Sequence, residues 1–241
     1  MVKSFFGQSI QNNNCFKKTA FTLAEVLITL GIIGVVAAMT IPTLISSYQK
    51  KAIENQIKQT YSLLSQGIRL AVAEEGVSVL TANDWQTNKE SLAQFFQSYF
   101  KVAQSCDGSY EKCFSSSFRF LDGSSYSFSG YSCDLSYILI NGTSVCVDLS
   151  DPTDASFVIP AGTAQNPSPF AIRPVITFEI DVNGPKPPNI FGYDMHGTLA
   201  VDEYGNLYVH EYKKDGAMTA TGWGAIGQIM KDGWKIKYDL P

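Results

Sequence analysis

The pattern of hydrophobic and polar positions divides the chain into a short leader, one long apolar run and a mixed remainder. Residues 1–20 are polar and end near the basic pair Lys17-Lys18, whereas from Phe21 to Ile41 every residue except Glu25 is apolar, small or a threonine. At about 1.5 Å of rise per residue, such a run spans the hydrocarbon layer of roughly 30 Å. The run predicts a transmembrane helix. Because basic residues beside such a helix tend to stay in the cytoplasm, the remainder of the chain is predicted to lie on the opposite side of the membrane.

The helical pattern continues beyond the apolar run. Apolar residues recur at steps of three to five positions as far as Val72, and Gly76 then indicates a helix stop. Pro42 lacks a helix hydrogen bond and crowds the preceding turn, so it predicts a kink or local melting. A second helix is predicted over residues 89–102, where aromatic residues form one broad face.

Short strand-like segments follow from about Ser115. The predicted strands include Ser117–Phe120, Tyr137–Ile140, Ser144–Leu149 and Val175–Val182. Asn141-Gly142 is the strongest hairpin signal, two further runs flank residues 203–206, and residues 150–174 are predicted to form a long loop. An antiparallel sheet packed on the long helix follows, which is an α+β fold.

The charge of Glu25 is costly inside an apolar run. A charged group at depth costs at least about 2.5 kcal/mol on insertion scales, so a functional partner is expected. If a peptidase cut between Ala20 and Phe21, the new amine would lie just over one helical turn from the carboxylate. Neighbouring copies could then pair amine with carboxylate inside an apolar bundle.

A secretory signal peptide is the competing interpretation of the same segment. The small residues Val36-Ala37-Ala38 offer a cleavage site, which would leave a secreted, calcium-dependent binding module starting near Met39. The apolar run is longer than the core of a usual signal peptide, and the charge of Glu25 would be unfavourable there without any functional role. Both features favour the membrane-anchored interpretation.

The amino-terminal segment resembles the class III signal peptides of type IV pilins and of the pseudopilins of type II secretion systems. The matching positions are Lys17, Lys18, Ala20, the run Phe21-Thr22-Leu23-Ala24-Glu25-Val26-Leu27-Ile28, and Pro42. The resemblance implies that a prepilin peptidase cuts before Phe21 and methylates its amine, and that Glu25 supports filament assembly. It also implies a pilin-like fold with a long, kinked amino-terminal helix. Ala20 stands where the family usually has glycine.

The predicted organisation has three parts. Residues 1–20 are a cytoplasmic leader that is cleaved, residues 21–48 are a transmembrane and assembly helix, and residues 49–241 are an exported globular domain. The resemblance implies a single-pass protein of the bacterial inner membrane, with its globular domain in the periplasm or outside the cell. The function expected is that of a type II secretion pseudopilin; a type IV pilin or minor pilin for adhesion, motility or DNA uptake is the alternative.

Charge and motifs limit the possible partners. The leader holds three of the 18 basic residues and none of the 22 acidic ones, so its removal changes the formal charge from −4 to −7. Such a surface repels a phosphate backbone, and no nucleic acid is expected. The expected partners are the prepilin peptidase, other pilin or pseudopilin subunits, membrane lipid, and an inner-membrane assembly platform with a separate ATPase.

Cysteine usage predicts disulfides in the exported part. Cys15 lies in the leader, which leaves four cysteines, and an even number outside the cytoplasm favours disulfides. Sequence proximity favours the pairs Cys106 with Cys113 and Cys133 with Cys146. A zinc site from four thiolates is the alternative, and the lack of a C-x-x-C pair weighs against it.

The stretch EIDVNGPKPPNIFGYDMHG has the composition of a calcium loop. Asp181, Asn183, Asn189 and Asp194 offer oxygen ligands, and the glycines and prolines force an irregular turn. In position it is similar to the calcium loop of major pseudopilins. An Asn-Gly turn stiffened by proline is an equal alternative. No other cofactor is expected.

No enzyme signature is present in the sequence. Neither His196 nor His210 has the partners of a catalytic triad or an H-E-x-x-H pattern in its local sequence. A transition-metal site from Asp194, His196, His210 and Glu211 is conceivable, but a strand histidine is the commoner explanation. We therefore expect a structural subunit and no enzyme.

Overall fold

The computed structural model describes residues 21–81, 85, 88–127, 133–150, 158–159, 170–171, 174–209 and 218–238. The helices are α1 (Leu23–Glu75), α2 (Ser78–Thr81), α3 (Lys89–Tyr99), α4 (Tyr110–Cys113) and α5 (Ala225–Lys231). The first strands are β1 (Val102–Ser105), β2 (Ser117–Arg119), β3 (Ser125–Ser127), β4 (Leu135–Leu139) and β5 (Ser144–Leu149). The remaining strands are β6 (Val158–Ile159), β7 (Phe170–Ala171), β8 (Pro174–Asp181), β9 (Met195–Asp202) and β10 (Leu207–Val209).

The chain divides into two compact units, a first unit up to Ser46 and a second unit from Ser47 onward, and α1 contributes residues to both. In the first unit, none of the described residues is buried, although most of them are apolar. By length and composition α1 is able to cross a membrane. The helix is unbroken at Pro42, so the predicted local melting is absent from the single chain, because a proline lacks only its own N–H. A kink there stays a prediction.

The second unit is built on a six-stranded antiparallel sheet in the order β1-β4-β5-β8-β9-β10. The second half of α1 buries one face, including Ile57, Leu64 and Ile68, in the same core as the sheet residue Phe178. Burying each such side chain stabilises the fold by about 1.5–3 kcal/mol. Polar contacts fix the packing further, since Thr60 and Thr143 share a buried hydrogen bond of 2.8 Å.

Several predictions of secondary structure are confirmed. The α+β arrangement is the one expected, with the long helix followed by an antiparallel sheet. β4 and β5 pair as the hairpin that Asn141-Gly142 predicts, and Gly142 adopts the positive φ of 84° that favours glycine. The first helix ends at Glu75, just before Gly76.

Other predictions need correction. The helix predicted over residues 89–102 is α3, and it ends at Tyr99, because Phe100 turns extended at φ −123° and buries its ring against Phe96. The segment predicted as the strand Ser117–Phe120 lies outside the six-stranded sheet: it pairs with β3 in a separate two-stranded ladder and forms one parallel bridge, between Arg119 and Ile190. The predicted loop at 150–174 contains the short pair β6 and β7, and most of its other residues lie outside the described part. The helix α5 was not predicted.

Candidate functional sites

The amino-terminal turn of α1 holds Glu25 in a reciprocal capping arrangement. Glu25 Oε2 accepts hydrogen bonds from the backbone N–H and the hydroxyl of Thr22, both at 2.9 Å. In return, the Thr22 hydroxyl accepts the backbone N–H of Glu25 at 3.2 Å. This is a capping box, which satisfies donors that a helix start leaves free. The T-x-x-E spacing of residues 22–25 was readable in the sequence, but the sequence analysis missed it.

The apolar side chains of the first unit are exposed in the single chain, both beside Glu25 and farther along the helix. Phe21 is 81% exposed, Leu23 78% and Met39 72%. A contiguous apolar surface of this kind marks a region that contacts lipid or other protein. Ala20, the residue before the predicted cleavage point, lies outside the described residues, as does Cys15.

The four cysteines of the second unit form the two predicted pairs. Cys106 and Cys113 are bonded with Sγ atoms 2.06 Å apart, and Cys133 and Cys146 with Sγ atoms 2.05 Å apart. The second bond joins the segment before β4 to β5. Because all four sulfurs are used, the alternative of a zinc site from four thiolates does not apply.

The loop between β8 and β9 brings the predicted calcium ligands together. Asp181 ends β8 and Asp194 precedes β9, and their exposed fractions are 1% and 0%. Asp194 Oδ2 accepts the backbone N–H of Asn189 at 2.9 Å, and its Oδ1 accepts that of Ile190 at 2.6 Å. Asp181 Oδ1 accepts the backbone N–H of Asn183 at 3.3 Å. The loop is thus folded around the two carboxylates.

Burial shifts the titration of both aspartates. Removal from water raises the pKa of Asp181 well above its usual value, and the nearby charge of Asp194 raises it further. Burial likewise raises the pKa of Asp194, although backbone N–H donors partly oppose the shift. Two buried carboxylates that repel each other favour either a proton on one of them or a neighbouring cation.

Two amide oxygens add to the donor set of the loop. Asn183 Oδ1 and Asn189 Oδ1 are buried atoms with no hydrogen-bond partner among the described residues. The amide nitrogen of Asn183 donates to the carbonyls of Lys186 and Pro187. Carboxylate and amide oxygens are the ligands that Ca²⁺ prefers, so these residues fit the predicted ion by chemical type.

His196 is a buried, neutral strand residue. Its Nε2 lies 3.0 Å from the carbonyl oxygen of Tyr193, and burial lowers its pKa to about 4. His210 and Glu211, its partners in the conceivable transition-metal site, lie outside the described residues. In the described part, one place gathers three side chains of the histidine, cysteine or carboxylate type, namely Cys133, Cys146 and Asp148, and its two sulfurs are bonded to each other.

Comparison with known families identifies the amino-terminal segment. The family model for the prokaryotic N-terminal methylation motif matches residues 15–41. No curated protein and no solved structure matches the chain. The chain therefore carries the class III signal peptide of prepilin-type proteins. With the α+β fold, this motif supports a protein of the pilin or pseudopilin type, processed by a prepilin peptidase and assembled with other subunits.

Proposed function

We propose that the chain is a pseudopilin of a type II secretion system, a structural subunit rather than an enzyme. Its helix would anchor it once in the bacterial inner membrane, with the globular unit on the periplasmic side. An assembly platform with a separate ATPase would then build it into a short filament. A type IV pilin or minor pilin is the alternative, and long filaments sheared from the cell surface would favour it.

The observation that carries this proposal is the state of Glu25. Its carboxylate has the capping contacts of Thr22, yet it lies in a helix whose apolar side chains are exposed throughout the first unit. Cleavage before Phe21 would create an amine next to this turn. In a bundle of neighbouring helices, the amine of one copy and the carboxylate of another would neutralise each other.

The first test is the amino terminus of the membrane-extracted mature protein, determined by intact mass and terminal peptide sequencing. A chain that begins at Phe21, with or without one added methyl group, supports the prepilin pathway. A chain that begins near Met39 would support the secreted module, and one that begins at Met1 a simple anchored protein. Either result would overturn the filament proposal.

The second test is Glu25→Ala. We expect export and cleavage to remain while incorporation into filaments, measured in sheared or cross-linked fractions, is lost or strongly reduced. Thr22→Ala is the matched variant, because it removes the hydroxyl of the capping box and keeps the carboxylate. Equal loss in both variants would assign the effect to the helix cap, and normal filaments from Glu25→Ala would contradict the proposal.

We also propose that the loop between β8 and β9 binds Ca²⁺ through Asp181, Asn183, Asn189 and Asp194, with a structural role. An acid whose pKa is raised by folding stabilises the fold below its unfolded pKa and loses that contribution as the pH rises through the folded pKa. At neutral pH without calcium, the buried pair therefore costs stability. Calcium would remove this cost by pairing with the ionised carboxylates.

The test is the melting temperature of the mature chain in detergent, with calcium and with a chelator. We expect the chelator to lower it and Asp181→Ala to abolish the response. Asp122→Ala is the control, because Asp122 is an exposed aspartate in a turn outside the loop. A melting temperature that does not change with the chelator would contradict the calcium site and favour the alternative, an Asn-Gly turn stiffened by proline.

A further inference from the structure

Lysines gather around the first turns of α1 that follow the apolar segment. We propose that this lysine cluster binds the anionic phospholipid headgroups of the membrane that anchors the chain. The inference rests on the membrane anchoring proposed above and adds a specific lipid class to it. The lysine cluster consists of Lys50, Lys51, Lys186, Lys235 and Lys237.

The carboxyl-terminal segment brings two of these lysines to α1. Glu54 lies one turn beyond Lys50 and is 6% exposed. Its Oε2 accepts a hydrogen bond from Lys235 Nζ at 2.8 Å, and its Oε1 accepts the backbone N–H of Ile236 at 3.0 Å. These contacts hold the segment with Lys235 and Lys237 beside the helix.

The loop between β8 and β9 brings the fifth lysine. A recess of about 370 Å³ has walls from both the helix and this loop, formed by Gln49, Ala52, Ile53, Asn183, Pro187, Pro188 and Tyr193. Lys186 immediately precedes Pro187 and is exposed. The hydroxyl of Tyr238 donates to the carbonyl of Gly192, which ties the loop to the carboxyl-terminal segment. Three elements therefore present their lysines in one region.

The charge of the lysine cluster is only partly offset. Glu54 pairs with Lys235, and Asp232 pairs with Lys237 at 3.1 Å. Among the described residues no acidic partner is found within 4.0 Å of the other three lysines, Lys50, Lys51 and Lys186. Five bases against two acids form a positive region on a chain whose formal charge is −7 without the leader.

The position of the lysine cluster along the sequence favours lipid over other anions. Lys50 and Lys51 follow the apolar run that ends at Ile41 after eight intervening residues, one of which is Tyr48, an aromatic side chain that is 74% exposed. Lysines next to a membrane helix are attracted to anionic leaflets, and tyrosine is enriched at the interface. The far end of α1 instead exposes Glu74 and Glu75 and has no basic residue in its last turn. The two ends of α1 within the second unit therefore differ in charge: lysines lie where the helix enters the unit, and glutamates lie at its far end.

The test uses the full mature chain reconstituted in vesicles of phosphatidylcholine alone, or with about 30% phosphatidylglycerol as an anionic lipid. A membrane-impermeant acylating reagent reports the reaction rate of each lysine by mass spectrometry. Lys89, Lys101 and Lys112 lie outside the lysine cluster and serve as internal controls. We expect Lys50, Lys51 and Lys186 to react at least about threefold more slowly in the anionic vesicles only, and high salt to abolish the difference.

A matched pair of variants strengthens the test. Lys50→Gln, Lys51→Gln and Lys186→Gln together should abolish the enrichment of phosphatidylglycerol in the lipid that co-purifies with the chain, whereas Lys89→Gln, Lys101→Gln and Lys112→Gln together should not. Equal acylation rates in the two vesicle types would overturn the proposal. Protection that appears in neutral vesicles and grows with protein density would also overturn it, in favour of an acidic surface on a neighbouring copy. A chain that floats with neither vesicle type would refute the anchoring itself, which is a separate result.

Discussion

The two halves of α1 treat their apolar side chains in opposite ways. In the second unit, Ile57, Leu64 and Ile68 are fully buried against the sheet, whereas Leu30 and Met39 in the first unit are 60% and 72% exposed. One continuous helix thus contributes to a core that is buried within a single chain and to an apolar surface that is exposed in a single chain. The second unit builds a hydrophobic core within the chain, whereas the first obtains burial only from lipid or from other helices.

The acidic residues of α1 differ in the same way. Glu54 is buried and is satisfied within its own chain by Lys235 and by the backbone of Ile236. Among the described residues, the carboxylate of Glu25 accepts hydrogen bonds from the hydroxyl and the backbone N–H of Thr22, and no cation forms an ion pair with it. A carboxylate in an apolar helix with no cationic partner among the described residues of its own chain points to a partner in another chain. The comparison therefore predicts that changes in one half leave the other half intact.

The largest effect that separates the two halves is expected from Cys133→Ala with Cys146→Ala. Loss of this bond should lower the free energy of unfolding of the second unit by about 2–5 kcal/mol. Urea denaturation followed by tryptophan fluorescence measures it, because all three tryptophans lie beyond Ser47. Flotation with vesicles, which reports the first unit, should not change.

The other disulfide supplies the control for that experiment. The sequence separation is 7 residues for Cys106 and Cys113 against 13 for Cys133 and Cys146. In the chain-entropy account, the shorter loop makes the loss smaller by about 0.5 kcal/mol. A variant of Cys133 and Cys146 that no longer floats would break the comparison, because damage to the second unit would then have reached the membrane segment.

Glycine-to-alanine changes at two points of α1 sharpen the comparison with a smaller effect. A Cβ at Gly67 would lie 2.4 Å from the ring of Phe100, whereas a Cβ at Gly34 would have nothing within 4 Å. Overpacking costs about 1–3 kcal/mol, which exceeds the gain of about 1 kcal/mol in helix propensity. Gly67→Ala should therefore lower the melting temperature of the second unit, and Gly34→Ala should not.

The effect of Gly34→Ala is measured instead by its incorporation into filaments. Small residues allow close helix packing in membranes, so this variant should reduce incorporation if neighbouring helices approach at Gly34. Normal stability of the single chain with reduced incorporation would support the division of roles between the two halves. A stability loss from Gly34→Ala equal to that from Gly67→Ala would contradict it.

Local sequence patterns predicted the elements whose causes are local. Apolar periodicity and Gly76 located α1, Asn141-Gly142 located the β4–β5 hairpin, and proximity in the chain suggested both disulfides. The predicted end of α3 was wrong because Phe100 leaves the helix and fills space beside Gly67. Helix propensity carries no information about this tertiary contact.

The candidate sites show the same limit. Residue types in the stretch from Asp181 to Asp194 suggested oxygen ligands, but the burial of both aspartates depends on how the loop packs. Glu54 and Lys235 are 181 residues apart in the chain, so neither composition nor spacing could pair them. The capping role of Glu25 depends only on the local spacing of Thr22 and Glu25, so the sequence could have predicted it.

The smallest expected effect concerns His196, a polar group that the second unit buries in its neutral form. A base whose pKa is lowered by folding contributes stability above its unfolded pKa and loses it as the pH falls towards the folded value, here from 6.5 to about 4. Between pH 7 and pH 5.5, this group should cost the second unit about 1 kcal/mol.

The measurement is the difference in unfolding free energy between the wild type and His196→Gln across that pH range, with chelator present throughout. The buried pair Asp181 and Asp194 titrates with the opposite sign, and it cancels in the difference because both proteins contain it. We expect the wild type to lose its advantage over the variant as the pH falls. A constant difference would contradict the burial of His196 as a neutral base in the second unit.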